Sequence, residues 1–439
     1  MRAGSGEPLV PALALVWSRE EPARVGEVCC IPRHATNATF TIGRAVEPGD
    51  DDALPLAFQR LRPFSRVETG PLRGSSVSRR QLRVRLLEDG GLLIEPRGRK
   101  VTRVNGHVIE RAVARPGDLI EVEQRFSLLY TGRPASWPNL RECQLPFPFG
   151  EVDTDGFVGE SPAIWTLRRK IIQLAAQPDH VLVRGPSGSG KELAVQALHR
   201  WSPQADGPMV TRNVAALTEE RFDLELFGSA RDYPRHGVPE RLGLLAEANG
   251  GALFLDELHR LPLDLQARML RVMDDGDYHR LGDLRAERST LRIYGATDRD
   301  DANFDPKLLA RFVLRLSTPG LAERREDIPL LARHIMESAI TRDPEFQDQV
   351  PVGEQARVSA SLAAKLVKHD YTGHYRELSE LLWAALTDDP GPRSREHASA
   401  PSSKRRASSA RATRDGRERS SPLVSPPARG VTRARDRRN

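Results

Sequence analysis

The sequence predicts a multidomain protein, with an N-terminal antiparallel β-sandwich, a central α/β domain with a parallel sheet, a small α-helical lid and a disordered basic C-terminal tail. Three observations predict this order. Short β-rich segments fill the N-terminal part, helices and buried strands alternate in the centre, and large apolar residues become rare near the C-terminus. The predicted boundaries are 1–133 for the sandwich, 134–155 for a linker, 156–318 for the α/β domain, 319–387 for the lid and 388–439 for the tail.

The N-terminal region is predicted to be a β-sandwich because its apolar segments are short and bounded by turn signals. We expect an extended surface loop over 45–76, because that stretch is long, polar and rich in proline and glycine. The linker is predicted from several prolines followed by acidic residues. The strand segments are 9–17, 38–43, 81–87, 91–95 and 119–122.

The central region alternates between helices and buried strands, a pattern typical of a parallel sheet with helices on both faces. Residues 326–387 then look purely helical, which predicts the lid. The expected helices of the centre are 161–176, 191–201 and 263–273, and the expected strands are 181–183, 208–213, 251–255 and 291–296.

The tail consists mainly of Ser, Arg, Pro and Ala and cannot bury enough apolar surface to fold alone. The formal net charge of the chain is +6, and its positive excess lies in this arginine-rich segment. The folded remainder is therefore near neutral or slightly acidic. This composition predicts either nonspecific, salt-sensitive contact with DNA phosphates or a plain solvated end.

The three cysteines, Cys29, Cys30 and Cys143, lack the spacing of metal ligands and predict reduced thiols in a cytoplasmic protein. The apolar stretch 9–17 is too short to cross a bilayer, and no small-residue cleavage site follows it. We therefore expect a first strand there, and we expect no membrane partner.

The most informative segment is Gly-Pro-Ser-Gly-Ser-Gly-Lys-Glu at 185–192, whose glycines allow backbone N–H groups to point at a polyphosphate. The helix that follows would turn its positive end toward the phosphates, and Lys191 could reach their outer oxygens. The usual Ser or Thr after the lysine is replaced by Glu192. The residues assigned to nucleotide binding here are Gly185, Gly188, Ser189, Gly190, Lys191 and Glu192.

A second segment, Gly-Gly-Ala-Leu-Phe-Leu-Asp-Glu at 250–257, reads as a hydrophobic strand that ends in two carboxylates. We expect Asp256 to hold Mg²⁺ and Glu257 to orient and deprotonate a water molecule. A phosphate loop alone could be a chance glycine-rich turn. Both segments together, in this order, predict hydrolysis of a nucleoside triphosphate.

The centre also resembles a known family. Together with the phosphate loop, five ordered motifs are similar to the AAA+ domain of bacterial sigma-54-dependent transcription activators, over about residues 157–386. That family typically carries Glu after the loop lysine, so Glu192 fits it. The motifs are Phe-Val-Gly-Glu-Ser at 157–161, Glu-Leu-Phe-Gly at 225–228, the strand segment at 247–258, the stretch 263–282, and Glu-Arg-Arg-Glu-Asp-Ile-Pro-Leu-Leu-Ala at 323–332.

The resemblance implies an ATPase that binds ATP and Mg²⁺ between the subunits of a hexamer and acts on sigma-54 RNA polymerase. By the same resemblance, Asn213 can hold Glu257 in an inactive rotamer. Arg311 aligns with an arginine finger that reaches across a subunit boundary, and Arg376 aligns with the sensor arginine of the lid. A lone arginine without such motifs is most often a surface ion-pair partner.

The sequence departs from the family at several points. The family's sigma-contacting loop, Gly-Ala-Phe-Thr-Gly-Ala, is replaced by Asp-Tyr-Pro-Arg-His-Gly at 232–237. Asp305 takes the second finger position, where nearby Lys307 could substitute, and Asp298 takes a sensor position usually held by Asn. The lid motif reads Tyr-Thr-Gly-His at 371–374, and no helix-turn-helix follows the lid. Engagement of sigma-54 therefore stays open.

The N-terminal region resembles the forkhead-associated (FHA) domain, a phosphothreonine-binding β-sandwich. Its four ordered motifs are Thr-Ile-Gly-Arg at 41–44, Ser-Arg-Arg-Gln at 78–81, Val-Asn-Gly at 104–106 and Arg-Pro-Gly-Asp at 115–118. The resemblance implies a phosphothreonine protein as partner, with Arg44 and Ser78 on the phosphate. Gln81 replaces a structural His and Lys100 an Asn, so a sandwich that has lost its ligand is the alternative. The residues assigned to the phosphopeptide are Arg44, Ser78, Arg79 and Asn105.

Together these patterns predict an ATP-hydrolysing AAA+ transcriptional regulator with a phosphothreonine-dependent input. Three alternatives stay open: an AAA+ ATPase that does not act on sigma-54, a phosphopeptide-binding adaptor whose ATPase is vestigial, and a plain nucleic-acid binder driven by its tail.

Overall fold

The computed structural model describes residues 9–32, 38–44, 53–135, 147–216, 218–342 and 358–388. All elements below belong to one compact unit, Met1–Gly391. Outside the described residues lie Cys143, residues 389–439 of the predicted tail, residues 136–146 of the predicted linker and residues 45–52 of the predicted surface loop. Among the helices that are described, none is long and apolar enough to cross a membrane.

The N-terminal region is a β-sandwich, and the predicted antiparallel β-rich architecture is confirmed. One sheet has the order β10-β9-β12-β13-β1-β2-β5-β6 and the other β11-β8-β7-β3-β4. The described strands are β1 (Leu9–Ser18), β2 (Val28–Cys30), β3 (Thr39–Ile42), β4 (Leu54–Pro55), β5 (Phe58–Arg62), β6 (Ser65–Gly70), β7 (Leu82–Leu86), β8 (Leu92–Pro96), β9 (Thr102–Val104), β10 (His107–Val108), β11 (Ala112–Ala114), β12 (Leu119–Val122) and β13 (Phe126–Pro134).

The sandwich core lies between the two sheets, because alternate residues of each strand point inward. Leu13 and Leu15 of β1 and Tyr130 of β13 meet Val84 of β7 and Ile94 of β8 there. The long β1–β13 pairing runs from Leu9 opposite Pro134 to Ser18 opposite Phe126. This pairing forms the backbone of the larger sheet.

The predicted surface loop over 45–76 is wrong in its second half. Strands β5 and β6 pair there as an antiparallel hairpin, and Phe58 is completely buried. The first four residues of β6 are exposed, and the strand lacks an apolar alternation. Because period-2 alternation is the signal that marks a half-buried strand, the sequence did not reveal this hairpin.

The central region is an α/β fold with the sheet order β15-β16-β19-β14-β20, and every pair in it is parallel. Its strands are β14 (Val181–Arg184), β15 (Met209–Asn213), β16 (Ala252–Asp256), β19 (Arg292–Thr297) and β20 (Leu314–Ser317), with a separate hairpin of β17 (Asp277–His279) and β18 (Ala286–Arg288). The helices are α1 (Pro162–Ala175), α2 (Lys191–Arg200), α3 (Glu219–Phe227), α4 (Leu244–Glu247), α5 (Leu263–Asp275) and α6 (Pro306–Arg311).

Helices cover both faces of this sheet, as predicted. Leu253 and Leu255 of β16 point into one hydrophobic core, with α5. Ala252 and Phe254 of the same strand point into the other core, with α1 and α2. A fully buried parallel strand alternates between two cores in this way, which explains its continuous apolar sequence.

The lid contains α7 (Ile328–Arg342), α8 (Ala360–Lys368) and α9 (His374–Asp388), preceded by a 3₁₀ turn at Leu321–Asp327. The expectation of a purely helical stretch from 326 is corrected at one point, because a non-helical segment separates α8 from α9. For residues 343–357, which lie outside the described part of the chain, the expectation stays a prediction.

The sandwich packs against the lid. Val16 and Leu129, on the outer face of the larger sheet, form a small core with Val367 of α8. At the edge of this contact Arg133 of β13 donates to Glu326 at 2.8 Å, and only 3% and 8% of the two side chains are exposed. We call this contact the sandwich–lid junction.

The described part of the predicted linker, 147–155, packs on α1. Asp153 is buried and pairs with Arg168 at 2.7 Å, and Phe147 stacks on Trp165 with ring centroids 5.9 Å apart. Arg62 of the sandwich reaches the same place, where it forms an ion pair with Glu160 at 2.5 Å. This segment is therefore held on the α/β fold and does not act as a free spacer.

Candidate active site

The carboxyl ends of the parallel strands collect the polar groups predicted to act on a nucleotide. Asn213 at the end of β15 lies opposite Asp256 at the end of β16. Arg184 at the end of β14 lies opposite Thr297 of β19. Since parallel strands end at the same edge of a sheet, this edge is where a ligand of an α/β fold is expected.

The phosphate loop, defined here as residues 185–191, joins β14 to α2. Gly188 has φ +75° and Gly190 has φ +90°, left-handed conformations that glycine adopts without strain. A side chain at Gly185 would clash with Thr318, which follows β20. Ser189 Oγ and Thr318 Oγ1 are 2.6 Å apart, so the loop is fixed against the neighbouring strand.

Lys191 is the first residue of α2 and is largely buried. Its Nζ donates to the carbonyl oxygens of Gly185 at 3.0 Å and Pro186 at 3.3 Å. The ammonium group therefore rests on its own loop, close to the N–H groups at the helix start. Glu192 points outward, where it accepts from Gln196 Nε2 at 3.3 Å.

The two carboxylates after β16 differ in their partners. Asp256 Oδ1 accepts from the N–H of Glu257 at 3.0 Å. Its Oδ2 accepts from Asn213 Nδ2 at 3.4 Å, while Asn213 Oδ1 accepts from the N–H of Ala215 at 2.8 Å. The amide of Asn213 thus contacts Asp256 in this structure rather than Glu257, the residue it was expected to hold.

Glu257 lies in a left-handed conformation with φ +55°, which is uncommon for a non-glycine residue and is frequent at functional sites. One of its neighbours is His259, which the sequence analysis did not single out. His259 Nε2 is 3.5 Å from Glu257 Oε2, and His259 Nδ1 is 3.1 Å from Thr297 Oγ1. The only sequence signal for it was a histidine two residues after the carboxylate pair.

Asp298 lies on the other side of His259, with its Oδ1 4.0 Å from Nδ1. One ligand atom each from Glu257, His259 and Asp298 lies within 4.8 Å of the others, so these three groups could hold a metal ion. The expected Mg²⁺ ligand, Asp256, lies one residue before this group.

The lid touches the phosphate loop through the turn before α9. The N–H of Tyr375 donates to Gly188 O at 3.3 Å, and a side chain at Gly188 would lie 2.5 Å from Gly373 O. His374 accepts from the N–H of Leu321 at 3.1 Å through Nδ1, and burial lowers the pKa of this imidazole. Arg376 projects from the first turn of α9 and is exposed.

Glu377 holds this lid turn together. Its carboxylate accepts from the N–H groups of Thr372 at 2.8 Å and Gly373 at 2.7 Å. His369 lies 2.6 Å from its Oε1. The hydrogen bond with His369, supported by the two N–H groups, lowers the pKa of Glu377 to about 2.

The two finger positions are both engaged within the chain. Arg311, exposed on α6, pairs with Asp274, with an Nη2–Oδ2 distance of 2.9 Å, and this guanidinium lowers the pKa of Asp274. Asp305 accepts from the N–H of Lys307 at 2.8 Å. It is the N-cap of α6, so a structural reason exists for an acid at that position.

The segment at 232–237, which replaces the sigma-contacting loop, is a closed turn. The N–H of Asp232 donates to Val238 O at 2.8 Å, and its carboxylate accepts from Gly237 N at 2.6 Å. The ring of Tyr233 lies against Gly282, so closely that a side chain there would meet it at 2.5 Å. Gly282 lies between β17 and β18. The turn is therefore packed against the hairpin region.

Three of the four predicted phosphopeptide residues meet at one end of the sandwich. The N–H of Arg44 donates to Ser78 O at 3.2 Å, and Gly43 packs against the backbone of Arg79. We call Arg44, Ser78 and Arg79 the sandwich rim.

Asn105 lies elsewhere. It follows the far end of β9, and its amide donates to Asp118 at 2.7 Å. The near end of that strand follows Gly98, whose N–H donates to Gln81 O at 3.1 Å. The backbone N–H of Ser78 donates to Gln81 Oε1 at 3.3 Å. Among the described residues, Asn105 thus bonds to Asp118 and Leu119 and not to the rim. Arg99 and Lys100, which follow Gly98 in the chain, are exposed.

The parallel sheet, the glycine loop before α2 and the carboxylates after β16 define a P-loop NTPase fold of the AAA+ class. Residues 157–312 match the family model of the Sigma-54 interaction domain. This part of the chain is therefore a sigma-54 interaction domain of the AAA+ enhancer-binding protein family, and the resemblance found in the sequence is confirmed for it.

Curated relatives share this part of the chain. The DNA-binding transcriptional regulator NtrC of Escherichia coli K12 is 40% identical over 206 residues, which cover 45% of this chain and 43% of NtrC. The anaerobic nitric oxide reductase transcription regulator NorR of E. coli SMS-3-5 is 36% identical over 247 residues, covering 54% of this chain and 47% of NorR. The chain thus spans less than half the length of these relatives.

Among solved structures, NtrX from Brucella abortus in complex with ATP is 33% identical, with coverage of 54% of this chain and 52% of NtrX and a TM-score of 0.46.

Proposed function

We propose that this chain is an ATP-hydrolysing AAA+ transcriptional regulator. The observation that carries the proposal is the meeting of the phosphate loop, Asp256 and Glu257 at the carboxyl edge of one parallel sheet. The relatives that share this part of the chain are transcription regulators by name, which supports the regulatory role.

In the proposed reaction, the N–H groups of the loop and of the start of α2 bind the phosphates. Lys191 exchanges its carbonyl partners for phosphate oxygens. The carboxylate oxygens of Asp256 suit Mg²⁺, which prefers oxygen ligands and neutralises charge on the phosphates when bound. Glu257 orients a water molecule and takes up its proton as the water attacks the outer phosphorus.

Arg311 would contribute from a neighbouring subunit of a ring, a hexamer by the family resemblance. Its partner in the free chain is Asp274, and both side chains are substantially exposed. Exposed ion pairs contribute little stability, so Arg311 can leave this pair for a phosphate at low cost. Arg376 would approach the phosphates from the lid side.

The direct test is release of phosphate from MgATP by the full chain and by Glu257→Gln. This variant keeps the shape of the side chain but removes the base, so we expect hydrolysis to fall by about 10² or more while ATP binding persists. Glu68→Gln, on the exposed strand β6, is the matched control and keeps wild-type activity. Absence of any turnover that depends on Glu257 would instead favour the phosphopeptide adaptor with a vestigial ATPase.

The target of the regulator needs a separate test, because the turn at 232–237 is closed and lacks the family's sigma-contacting sequence. Gel filtration with sigma-54 and the transition-state mimic ADP–aluminium fluoride tests whether the target is sigma-54 or another protein. Co-elution of sigma-54 with an assembled ring supports action on sigma-54 RNA polymerase. A ring that elutes without sigma-54 supports an AAA+ ATPase with another target.

A second candidate function is phosphothreonine binding at the sandwich rim. The observation that favours it is the backbone contact between Arg44 and Ser78, which brings a guanidinium and a hydroxyl to the same loop end. These are the groups that suit a phosphate dianion. Titration with a phosphothreonine peptide and its unphosphorylated form tests the function directly.

A further inference from the structure

The carboxylate of a general base must be held in a defined orientation, because small displacements of a catalytic group cost large factors in rate. The family resemblance assigns contact with Glu257 to Asn213. In this structure the amide of Asn213 is already engaged at both ends, with Asp256 Oδ2 at 3.4 Å and Ala215 N at 2.8 Å. A different side chain lies beside Glu257.

That group is the imidazole of His259. Its side chain is only 9% exposed, and its Nε2 lies 3.5 Å from Glu257 Oε2. Its other nitrogen, Nδ1, lies 3.1 Å from the hydroxyl of Thr297 at the end of β19. The ring thus connects the catalytic carboxylate to a buried strand end of the central sheet.

The hydrogen bonds of Thr297 permit an arrangement in which the ring proton of His259 lies on Nε2. The hydroxyl oxygen already accepts from the N–H of Arg299 at 3.0 Å. Its own hydrogen can therefore point to His259 Nδ1, since a hydroxyl carries one hydrogen and two acceptor sites. In that arrangement the ring hydrogen on Nε2 faces Glu257.

We propose that His259 is a positioning residue for the catalytic carboxylate: Nε2–H holds Glu257 Oε2 and leaves Oε1 for the attacking water. This inference rests on the proposed ATPase function. Asp298 faces the same ring at 4.0 Å from Nδ1. It is itself paired with Arg299 at 3.5 Å, so part of its charge is balanced away from His259.

The test compares His259→Leu with His259→Gln in MgATP hydrolysis by the full chain. Leucine fills the space but cannot donate a hydrogen bond, and we expect kcat to fall about tenfold while KM for ATP changes by less than about twofold. Glutamine retains an N–H donor and should recover a clear part of the lost kcat. Thr297→Val, which removes the anchor of the ring, should lower kcat in the same direction by a smaller factor.

His279→Leu on the exposed strand β17 is the matched control and should leave both constants unchanged. Equal kcat for wild type and His259→Leu, or no recovery with glutamine, would overturn the inference. In that case turnover still lost in Glu257→Gln shows that the ATPase proposal survives. A wild-type chain without Glu257-dependent turnover overturns both. The positioning role is supported if kcat falls in His259→Leu, is partly restored in His259→Gln, and KM for ATP stays unchanged in both variants. A general structural defect would not be relieved by glutamine.

Discussion

Two regions of this chain could bind a phosphate group, and they are built in different ways. In the phosphate loop, the ligand would meet backbone N–H groups, a helix start and the largely buried Lys191, all fixed before binding. At the sandwich rim it would meet the exposed side chains of Arg44 and Arg79. The first site has its geometry set by the fold, whereas the second must order flexible side chains on binding.

The same difference is seen in which residues the family model covers. Residues 157–312 include the phosphate loop, Asp256 and Glu257, but not the sandwich. Backbone geometry imposes strict sequence requirements, such as glycine at positive φ, and such requirements produce specific motifs. A rim of arginine side chains imposes fewer, so its sequence signal is weaker.

The largest expected effect is at the phosphate loop. Lys191→Ala should reduce ATP hydrolysis by about 10² or more, because it removes the cation closest to the transferring phosphate. Arg79→Ala at the sandwich rim should leave hydrolysis unchanged. Phosphate release at saturating MgATP measures both. Similar losses in the two variants would mean that the two regions are not separate sites.

The next largest effect is expected on stability, at the sandwich–lid junction. This junction joins the sandwich, which carries the rim, to the lid, which contacts the phosphate loop. Glu326→Gln leaves the buried guanidinium of Arg133 without its counter-charge. Breaking such a buried pair is expected to lower the free energy of unfolding by about 3 kcal/mol. Urea denaturation measures the change.

The control for the junction is Asp89→Asn, which breaks an exposed ion pair with Arg115. This change should alter the free energy of unfolding by less than about 1 kcal/mol. If the two variants unfold alike, the junction contributes no more than a surface contact, and the sandwich and lid are only loosely joined.

A smaller effect is expected at the rim. Arg44→Lys keeps the charge but loses the planar fork that can bind a phosphate through two hydrogen bonds, so affinity for a phosphothreonine peptide should fall about fivefold to tenfold. Asn105→Ala should leave affinity unchanged, because its amide is bound to Asp118 at the other end of β9. Isothermal titration tests both. A loss with Asn105→Ala and none with Arg44→Lys would move the site away from the rim.

The sequence predicted four of the five strands of the central sheet and the helices α1, α2 and α5, because those elements have strong periodic signals. The fifth strand β20, the helices α3, α4 and α6 and the β17–β18 hairpin were not predicted. The strands β14 and β16 and the loop between β14 and α2 were located within a residue or two. The hairpin of β5 and β6 was missed because β6 is exposed and lacks apolar alternation. Side-chain pairing was predicted least well.

Long-range contacts between polar groups carry no local sequence signal. Neither the contact of His259 with Glu257 and Thr297 nor the burial of Arg133 against Glu326 could be deduced from spacing. Glu257 and Lys191 could be singled out because their motifs are short and continuous, and their roles also stay predictions. The roles assigned to Asn213, Arg311 and Arg376 by resemblance stay predictions, to be tested by the activity of the corresponding variants.

The smallest expected effect is a pH dependence in the lid turn that touches the phosphate loop. The pKa of Glu377 is lowered to about 2 from an ordinary value of 4.5, first by the hydrogen bond with His369. A carboxylate with a lowered native pKa adds stability that is fully present above its unfolded pKa and is lost as the pH falls through its native pKa. The stabilisation of the turn should therefore be constant above about pH 5 and decline from there toward pH 2.

Amide hydrogen exchange at Thr372 and Gly373, whose N–H groups donate to this carboxylate, measures the effect. The ratio of protection factors between wild type and Glu377→Gln cancels the intrinsic pH dependence of exchange. It should exceed one at neutral pH and approach one at acidic pH. A ratio that is the same at neutral and acidic pH would show that the charge of Glu377 does not hold the turn. The lid side of the phosphate loop would then be less preorganised than the strand side fixed by Thr318.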